Sequence, residues 1–258
     1  MNTRLSAITL NTFREAVRDR VLYNLVIFVL LLVASAPLFS QISIGMERLI
    51  LVNVGLSSIS LFGVIIAIFI GIGLVSKEIE KRTLYTILSR PVRRWEFIAG
   101  KYFGLMLTLV VNTGLMTLGF YVALLISDRA FKPADAAMLI AVYFIVLQFL
   151  MVTAITLLFS SFSTPIFSAI FSFALFAIGT FADDLRNFAA LAQGVTKWLA
   201  TGVAYLVPNF ASLNVISRVA HDQHIAGKLV LYNTGYALLY SAAVVIASVL
   251  IFERRNLK

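Results

Sequence analysis

The sequence predicts an all-α membrane protein with six transmembrane helices. Of its 258 residues, 60% are hydrophobic and 13% are charged, which is far more apolar than a soluble domain. Apolar runs of roughly 20 residues recur along the chain, and each is long enough to cross a hydrocarbon core as a helix. The alternation typical of transmembrane strands is absent, which leaves helices as the spanning form.

Six apolar runs are the expected spans of a single transmembrane domain, 1–258. They cover 21–44, 49–75, 97–126, 136–159, 166–181 and 229–252. Most of the 21 Lys and Arg residues fall on the side that carries both termini and the segment between the second and third runs. Positive charge marks the cytoplasmic side, so both termini are expected in the cytoplasm, in a bacterial inner membrane. The net charge of +9 therefore reflects topology and does not indicate nucleic-acid binding.

The N-terminal segment, 1–20, has the pattern of an amphipathic helix. Leu10, Phe13 and Val17 recur at helical spacing, while Arg14 and Arg18 fall on other faces. A helix lying in the membrane interface, in contact with membrane lipids, is the expected structure.

The segment 76–97 is the one long charged stretch between two apolar runs, and its charges, Lys101 just beyond it included, are expected in water. Its apolar residues at near-helical spacing are Ile79, Leu84, Ile87 and Leu88, which predict a short amphipathic helix from about 77 to 89. Pro91 disfavours helical geometry at Arg90, so a second helix is expected to begin near Trp95. The segment either fixes topology as a basic loop or docks a soluble partner.

The segment 183–228, on the outer side, carries two further amphipathic stripes before the last span. The first comprises Phe188, Leu191, Val195, Trp198 and Leu199, and the second comprises Phe210, Leu213, Ile216 and Val219. Such helices would half-insert into the outer leaflet, cap the bundle, or pack into its core.

Catalytic, cofactor-binding and metal-binding residues are not expected. Mid-span positions lack ionisable side chains, and the chain has no Cys. His221 and His224 flank Asp222, but they lie in a polar loop without further obvious ligands. Polar residues within the spans either bind neighbouring helices or line a pathway, and the candidates are Asn53, Asn112, Thr117, Gln148, Tyr236 and Tyr240.

The charged segment resembles the loop between spans two and three of type-two ATP-binding-cassette (ABC) exporter permeases. The matching motifs are Lys77-Glu78-Ile79-Glu80, Thr83-Leu84, the run from Leu88 to Arg94, and Gly100-Lys101-Tyr102. In that family the loop forms a coupling helix that docks on a separate ATPase. The resemblance implies an ATPase contact made by Glu78, Ile79, Glu80, Arg82, Leu84, Ile87 and Leu88. Many relatives carry Gly where this chain has Arg82.

The resemblance implies a permease that works as a homodimer with two ATPase subunits, which bind ATP and Mg²⁺. The chain itself lacks the motif GxxxxGK followed by Ser or Thr, so it is not expected to be an enzyme. A periplasmic accessory protein is a further candidate partner. The alternative function is a non-transporting membrane anchor or mechanical transducer driven by a partner ATPase. A transporter needs a polar or open path among its spans, whereas an anchor would be packed throughout.

Overall fold

The structure, a computed structural model, describes residues 2–18, 23, 26–27, 30–31, 35, 46–80, 93–128, 132 and 135–254. Within these residues the chain is helical and contains no strand. The helices are α1 (Asn2–Val17), α2 (Glu47–Glu80), α3 (Arg94–Asp128), α4 (Asp135–Phe162), α5 (Pro165–Thr180), α6 (Ala182–Leu191), α7 (Gly194–Leu206), α8 (Ile216–Ala220) and α9 (Gly227–Arg254), with a 3-10 turn at Ala211–Leu213.

Four of the described helices are long and apolar enough to cross a membrane. Their spanning segments are Arg48–Gly73, Arg94–Ser127, Asp135–Phe162 and Gly227–Arg254. The number rises to six if two bent pairs each count as one span: α5 with α6, bent by 58°, and α7 with α8, bent by 50°. The first expected span, 21–44, lies mostly outside the described residues. The predicted fold class, an all-α protein that crosses the membrane several times, is confirmed.

Helix α4 forms the centre of the bundle, because it packs against α2, α3, α5 and α9. It is apolar on nearly every side, which is the pattern of a helix surrounded by other helices. Glycines of α2 allow close approach: the ring of Phe149 lies against Gly63, and Gly71 lies beside Thr156. Small residues at such contacts let two helices pack through their backbones within a lipid environment.

An ion pair fixes the ends of three helices on one side of the bundle. Asp135, the buried first residue of α4, pairs with Arg48 at the start of α2. Its other carboxylate oxygen accepts a hydrogen bond of 2.7 Å from the backbone N–H of Lys132, and its carbonyl accepts one of 2.7 Å from the Tyr121 hydroxyl of α3. This is the side expected to face outward.

The N-terminal helix α1 packs along the start of α3 through small residues. Ile8 lies against Gly100, and Thr12 lies against Gly104 one turn further along both helices. Thr12 and Ala16 are buried in this contact, so it is the small-residue face of α1 that meets the bundle.

The larger apolar residues of α1 lie on other sides of the helix. Leu10 is 45% exposed, and Phe13 and Val17 are partly buried. The helix predicted for the N-terminal segment is therefore present, while its position in the membrane interface stays a prediction.

The close contact between α1 and α3 predicts opposite effects for two alanine substitutions in the same helix. A Cβ atom at Gly104 would lie 2.5 Å from Thr12 Cβ and 2.7 Å from the Thr9 carbonyl oxygen, whereas a Cβ at Gly114 meets nothing within 4 Å. We expect Gly104→Ala to lower the free energy of unfolding by about 1–3 kcal/mol, because overpacking displaces α1. Gly114→Ala should be neutral or stabilising by up to about 1 kcal/mol, because alanine favours helices.

Thermal unfolding of both variants in one detergent measures the difference. Equal melting temperatures for Gly104→Ala and Gly114→Ala would contradict the described packing of α1.

Candidate functional site

The segment expected to dock an ATPase begins inside a membrane-spanning helix. Helix α2 continues without a break from Glu47 through Glu80, so the backbone of Glu78, Ile79 and Glu80 forms its last turn. The sequence predicted a separate helix starting near 77, but the structure extends the second span to this point. The remaining docking candidates, Arg82, Leu84, Ile87 and Leu88, lie outside the described residues.

Helix α3 resumes the chain with a well-defined N-terminus. The backbone N–H of Arg93 donates a hydrogen bond of 3.0 Å to Oε2 of Glu96, which is the third residue of the helix. This is half of a capping box, in which a Glu side chain satisfies a free backbone N–H of the first turn. Glu96 is buried, so the start of α3 is held rigidly. The helix predicted to begin near Trp95 is therefore present.

Arg94 joins this N-terminus to the end of the last span. Its Nη1 donates hydrogen bonds to the carbonyl oxygens of Phe252, at 3.1 Å, and Glu253, at 2.8 Å. A cation that satisfies the last carbonyls of a helix also interacts favourably with the helix dipole. The Phe97 ring stacks on that of Phe252, with 5.8 Å between the ring centroids. These contacts hold the N-terminus of α3 against the C-terminus of α9.

Lys101 ties α1 to the same region. Its side chain is only 2% exposed, with Nζ 3.4 Å from Glu15 Oε2 of α1 and 5.6 Å from the centroid of the Phe97 ring. A buried ammonium group requires such partners, because its desolvation is costly. The expectation that Lys101 lies in water was wrong: the local charge density suggested a solvated loop, but α1 covers the residue. Beyond the segment that follows Glu80, the contacts of Arg94 and Lys101 therefore hold the start of α3 against α9 and α1.

The two apolar stripes on the outer side have different environments. Phe210, Leu213, Ile216 and Val219 are each at most 8% exposed, so the second stripe packs into the bundle. Phe188, Leu191, Val195, Trp198 and Leu199 are 55–84% exposed, so the first stripe, on α6 and α7, does not. The alternative that the stripes pack into the core is therefore correct for the second stripe only. Insertion of the first stripe into the outer leaflet stays a prediction.

Three residues of the second stripe, Phe210, Leu213 and Ile216, lie in what we call the cap segment, residues 207–216. Helix α5 has only 16 residues, and a helix of that length rises about 24 Å, short of a hydrocarbon core of about 30 Å. The cap segment extends from its outer end: the N–H of Phe210 donates to the Gly179 carbonyl at 3.0 Å, and its ring lies 5.2 Å from that of Phe176. Irregular backbone is tolerated at membrane depth where protein surrounds it.

Side chains from α6 and α9 hold the cap segment in place. The backbone N–H of Asn209 donates to the Tyr236 hydroxyl at 2.9 Å, and its side-chain amide donates to Asp183 Oδ1 at 3.2 Å. The Asn233 amide donates to the carbonyl of Ser212 at 3.0 Å. Two of these bonds satisfy backbone groups of the cap segment, the N–H of Asn209 and the carbonyl of Ser212.

A cavity of about 180 Å³ lies beneath the cap segment, between α2, α4 and α5. Its lining residues are Ser57, Ser60, Leu61, Gln148, Phe176, Thr180, Phe210, Ala211, Asn214 and Ile216. The Gln148 side chain is buried, and its Nε2 donates a hydrogen bond of 3.2 Å to Ser60 Oγ. The cavity is therefore a partly polar space inside a largely apolar bundle.

The structure brings some of the pathway candidates to this region and not others. Gln148 lines the cavity, Tyr236 holds the cap segment, and the Tyr240 ring lies 5.9 Å from that of Tyr236. Asn53 donates to the carbonyl of Leu49 in its own helix at 3.1 Å. The remaining two, Asn112 and Thr117, are buried on α3 and do not line the cavity.

Sequence reasoning missed the serines of α2 and the asparagine that supports the cap segment. Ser57 and Ser60 lie in a largely apolar run, and the pairing of Ser60 with Gln148 of α4 depends on helix packing. Asn209 had a usable signal, because it follows Pro208, and an X-Pro-Asn run interrupts helical periodicity.

Removal of the Tyr236 hydroxyl should loosen the cap segment. We expect Tyr236→Phe to cost about 1–3 kcal/mol, because the buried N–H of Asn209 loses its acceptor, and to speed amide hydrogen exchange over 209–214. Tyr232→Phe is the control, since Tyr232 lies on the same helix with 75% of its surface exposed. Exchange that is equally fast in both variants, measured by mass spectrometry, would contradict this support for the cap segment.

The chain has been compared with known protein families and with curated proteins. A family model described as ABC-2 family transporter protein matches residues 6–257. No curated protein matches the chain. The family match covers nearly the whole chain, including the segment after α2 and the cap segment, and it confirms the resemblance seen in the sequence. The chain therefore belongs to the ABC-2 transporter family and is a multi-pass membrane component of an ABC transporter.

Proposed function

We propose that the chain is the transmembrane permease subunit of an ABC exporter and that a separate ATPase drives it. The family match over residues 6–257 carries this proposal. Two copies of the chain form the substrate pathway as a homodimer, and each docks one ATPase subunit. ATP and Mg²⁺ bind to the ATPase subunits, and the chain itself binds no cofactor.

Residues 78–88 make the ATPase contact in this proposal. The geometry of the ends of that segment supports it, because Glu80 is the last residue of the continuous helix α2. On the other side, Arg94 and Lys101 attach the start of α3 to α9 and α1. A force on residues 78–88, the proposed docking segment, is therefore transmitted directly to α2. Helix α3 resists displacement because Arg94 and Lys101 attach it to α9 and α1. Closure of the two ATPase subunits moves the two copies between inward-facing and outward-facing states. Such a two-state switch requires contacts with the ATPase that differ between the states.

Both termini and the docking segment face the cytoplasm of a bacterial inner membrane. The contacts of Glu15, Arg94 and Glu253 gather α1, the start of α3 and the end of α9 at one end of the bundle. The Arg48–Asp135 pair lies at the opposite ends of α2 and α4. This arrangement agrees with the distribution of positive charge along the sequence.

The cavity under the cap segment favours a transporter over a membrane anchor. An anchor needs only a packed bundle, and empty space lined with serine and amide groups costs packing energy. A permease needs a place where a polar group can sit among its spans.

Substitution of the docking residues should abolish capture of the ATPase. We expect the wild-type chain to co-purify with a P-loop ATPase, and the triple variant Glu78→Ala, Glu80→Ala, Leu84→Ala to lose it, because these residues form the proposed contact. The matched control is Asp184→Ala, Lys197→Ala, Lys228→Ala, since these exposed residues lie on the opposite side. Mass spectrometry of the purified complexes gives the result. Capture of the ATPase by both triple variants would contradict the docking site.

The topology can be read by cysteine labelling, because the chain has no cysteine of its own. In intact cells a membrane-impermeant maleimide should react with Asp184→Cys and His224→Cys, which face outward in the proposal. It should react with Arg14→Cys and Arg254→Cys only after lysis. The reverse pattern would contradict the assignment of the cytoplasmic side.

A further inference from the structure

The cavity under the cap segment is polar but uncharged. Its polar lining residues are Ser57, Ser60, Gln148, Thr180 and Asn214, and its apolar walls include Phe176 and Phe210. Among the described residues that line it, none is Asp, Glu, Lys, Arg or His. An ion at membrane depth without a counter-charge costs several kcal/mol, so this lining disfavours charged groups. It suits an uncharged group that forms hydrogen bonds.

Gln148 offers hydrogen bonds that the protein does not use. Its side chain is 6% exposed, and its amide lies close to a single hydroxyl: Ser60 Oγ is 3.2 Å from Nε2 and 3.4 Å from Oε1. A primary amide has two donor hydrogens and an acceptor oxygen with two lone pairs. Most of this capacity therefore remains for whatever occupies the cavity, and a buried polar group left without partners is costly.

The size of the cavity limits what it can hold. Its volume of about 180 Å³ is below the range of roughly 300–1,000 Å³ found for sites that enclose a drug-sized ligand. It therefore fits a headgroup and not a whole amphiphile.

The cavity is also open on one side. Leu61 is 52% exposed, and Ser57, Thr180 and Asn214 are exposed as well, so the opening lies between α2 and α5 beside Leu61. A hydrocarbon chain attached to the headgroup would leave through this opening and lie against the apolar surface of the bundle.

We propose that the cavity binds the uncharged, hydroxyl-bearing or amide-bearing headgroup of a single-chain amphiphile, whose hydrocarbon chain lies in the lipid beside Leu61. Gln148 and Ser60 bind the headgroup, and Phe176 and Phe210 pack against its apolar side. The binding site itself is inferred from the geometry of the cavity. The step that makes this amphiphile class the transported substrate rests on the proposed permease function.

Photolabelling of the full chain in nanodiscs of zwitterionic lipid tests the site. The probe is an octyl glucoside that carries a diazirine next to the headgroup, used well below the concentration that dissolves the nanodisc. Two further probes carry the same chain and diazirine on a trimethylammonium or a sulfate headgroup. Mass spectrometry then locates the adducts along the sequence.

The expected result is that the glucoside labels residues 57–61 and 210–216 at least about tenfold more than either charged probe, since one favourable buried hydrogen bond in place of an unpaired charge is worth that much. Gln148→Leu, which removes the amide, and Ala211→Phe, which fills the cavity, should each reduce this labelling by a similar factor. Asn53→Leu is the matched control, because it removes an amide from α2 outside the cavity and should leave the labelling unchanged.

Equal labelling by all three probes would show a lipid-facing groove without headgroup selection and would overturn the proposal. Absence of glucoside adducts at these residues in the wild type would show a cavity that holds only water, with the same consequence. The comparison of headgroups on the wild-type chain does not depend on whether either variant folds. Because no ATPase is present, failure here leaves the docking prediction standing, and failure of ATPase capture leaves this site standing.

Discussion

Backbone polar groups inside a bilayer must find partners within the protein, and this constraint shapes the half of the molecule that contains the cap segment. Helix α5, with 16 residues, is too short to cross the hydrocarbon core by itself. The cap segment packs against the end of α5, and because it is not a continuous helix its backbone depends on hydrogen bonds with Gly179, Asn233 and Tyr236. The cavity lies at the point where this irregular segment meets α2 and α4. A longer, uninterrupted α5 would satisfy its own backbone and would not require the cap segment.

A different constraint, the cost of burying charge, shapes the half of the molecule where α1, the start of α3 and the end of α9 meet. Lys101 and Arg94 lie close to the docking segment, and each is held by groups from another helix. Their contacts hold the start of α3 against α9 and α1, whereas α2 continues without a break from the proposed docking segment to the wall of the cavity at Ser57 and Ser60. One continuous helix thus connects the two proposed functional regions, and the proposed mechanism uses this connection.

Four of the spans, 49–75, 97–126, 136–159 and 229–252, were predictable because each is a long apolar run whose burial depends little on its neighbours. The outer segment was predictable only as two stripes: nothing in their spacing distinguishes Phe210, which is buried, from Trp198, which is exposed. That difference depends on whether a short α5 leaves space beneath the stripe. The prediction that Lys101 is exposed to water was wrong for a related reason, since local charge density does not reveal that α1 covers the residue. The pairing of Ser60 with Gln148, 88 positions apart, depends on helix packing and has no local signal.

In the proposed mechanism, an ATPase docked at the Glu80 end of α2 changes access to the cavity lined by Ser57 and Ser60 of the same helix. The most direct measurement is the rate at which Ser57→Cys reacts with a small neutral maleimide, in the complex of the chain with its ATPase, with and without a non-hydrolysable ATP analogue. We expect the analogue to change this rate, while the rate at Asp184→Cys, outside the cavity, stays the same. Identical rates at Ser57→Cys in the two states, in a complex that binds the analogue, would contradict the proposed coupling between the ATPase and the cavity.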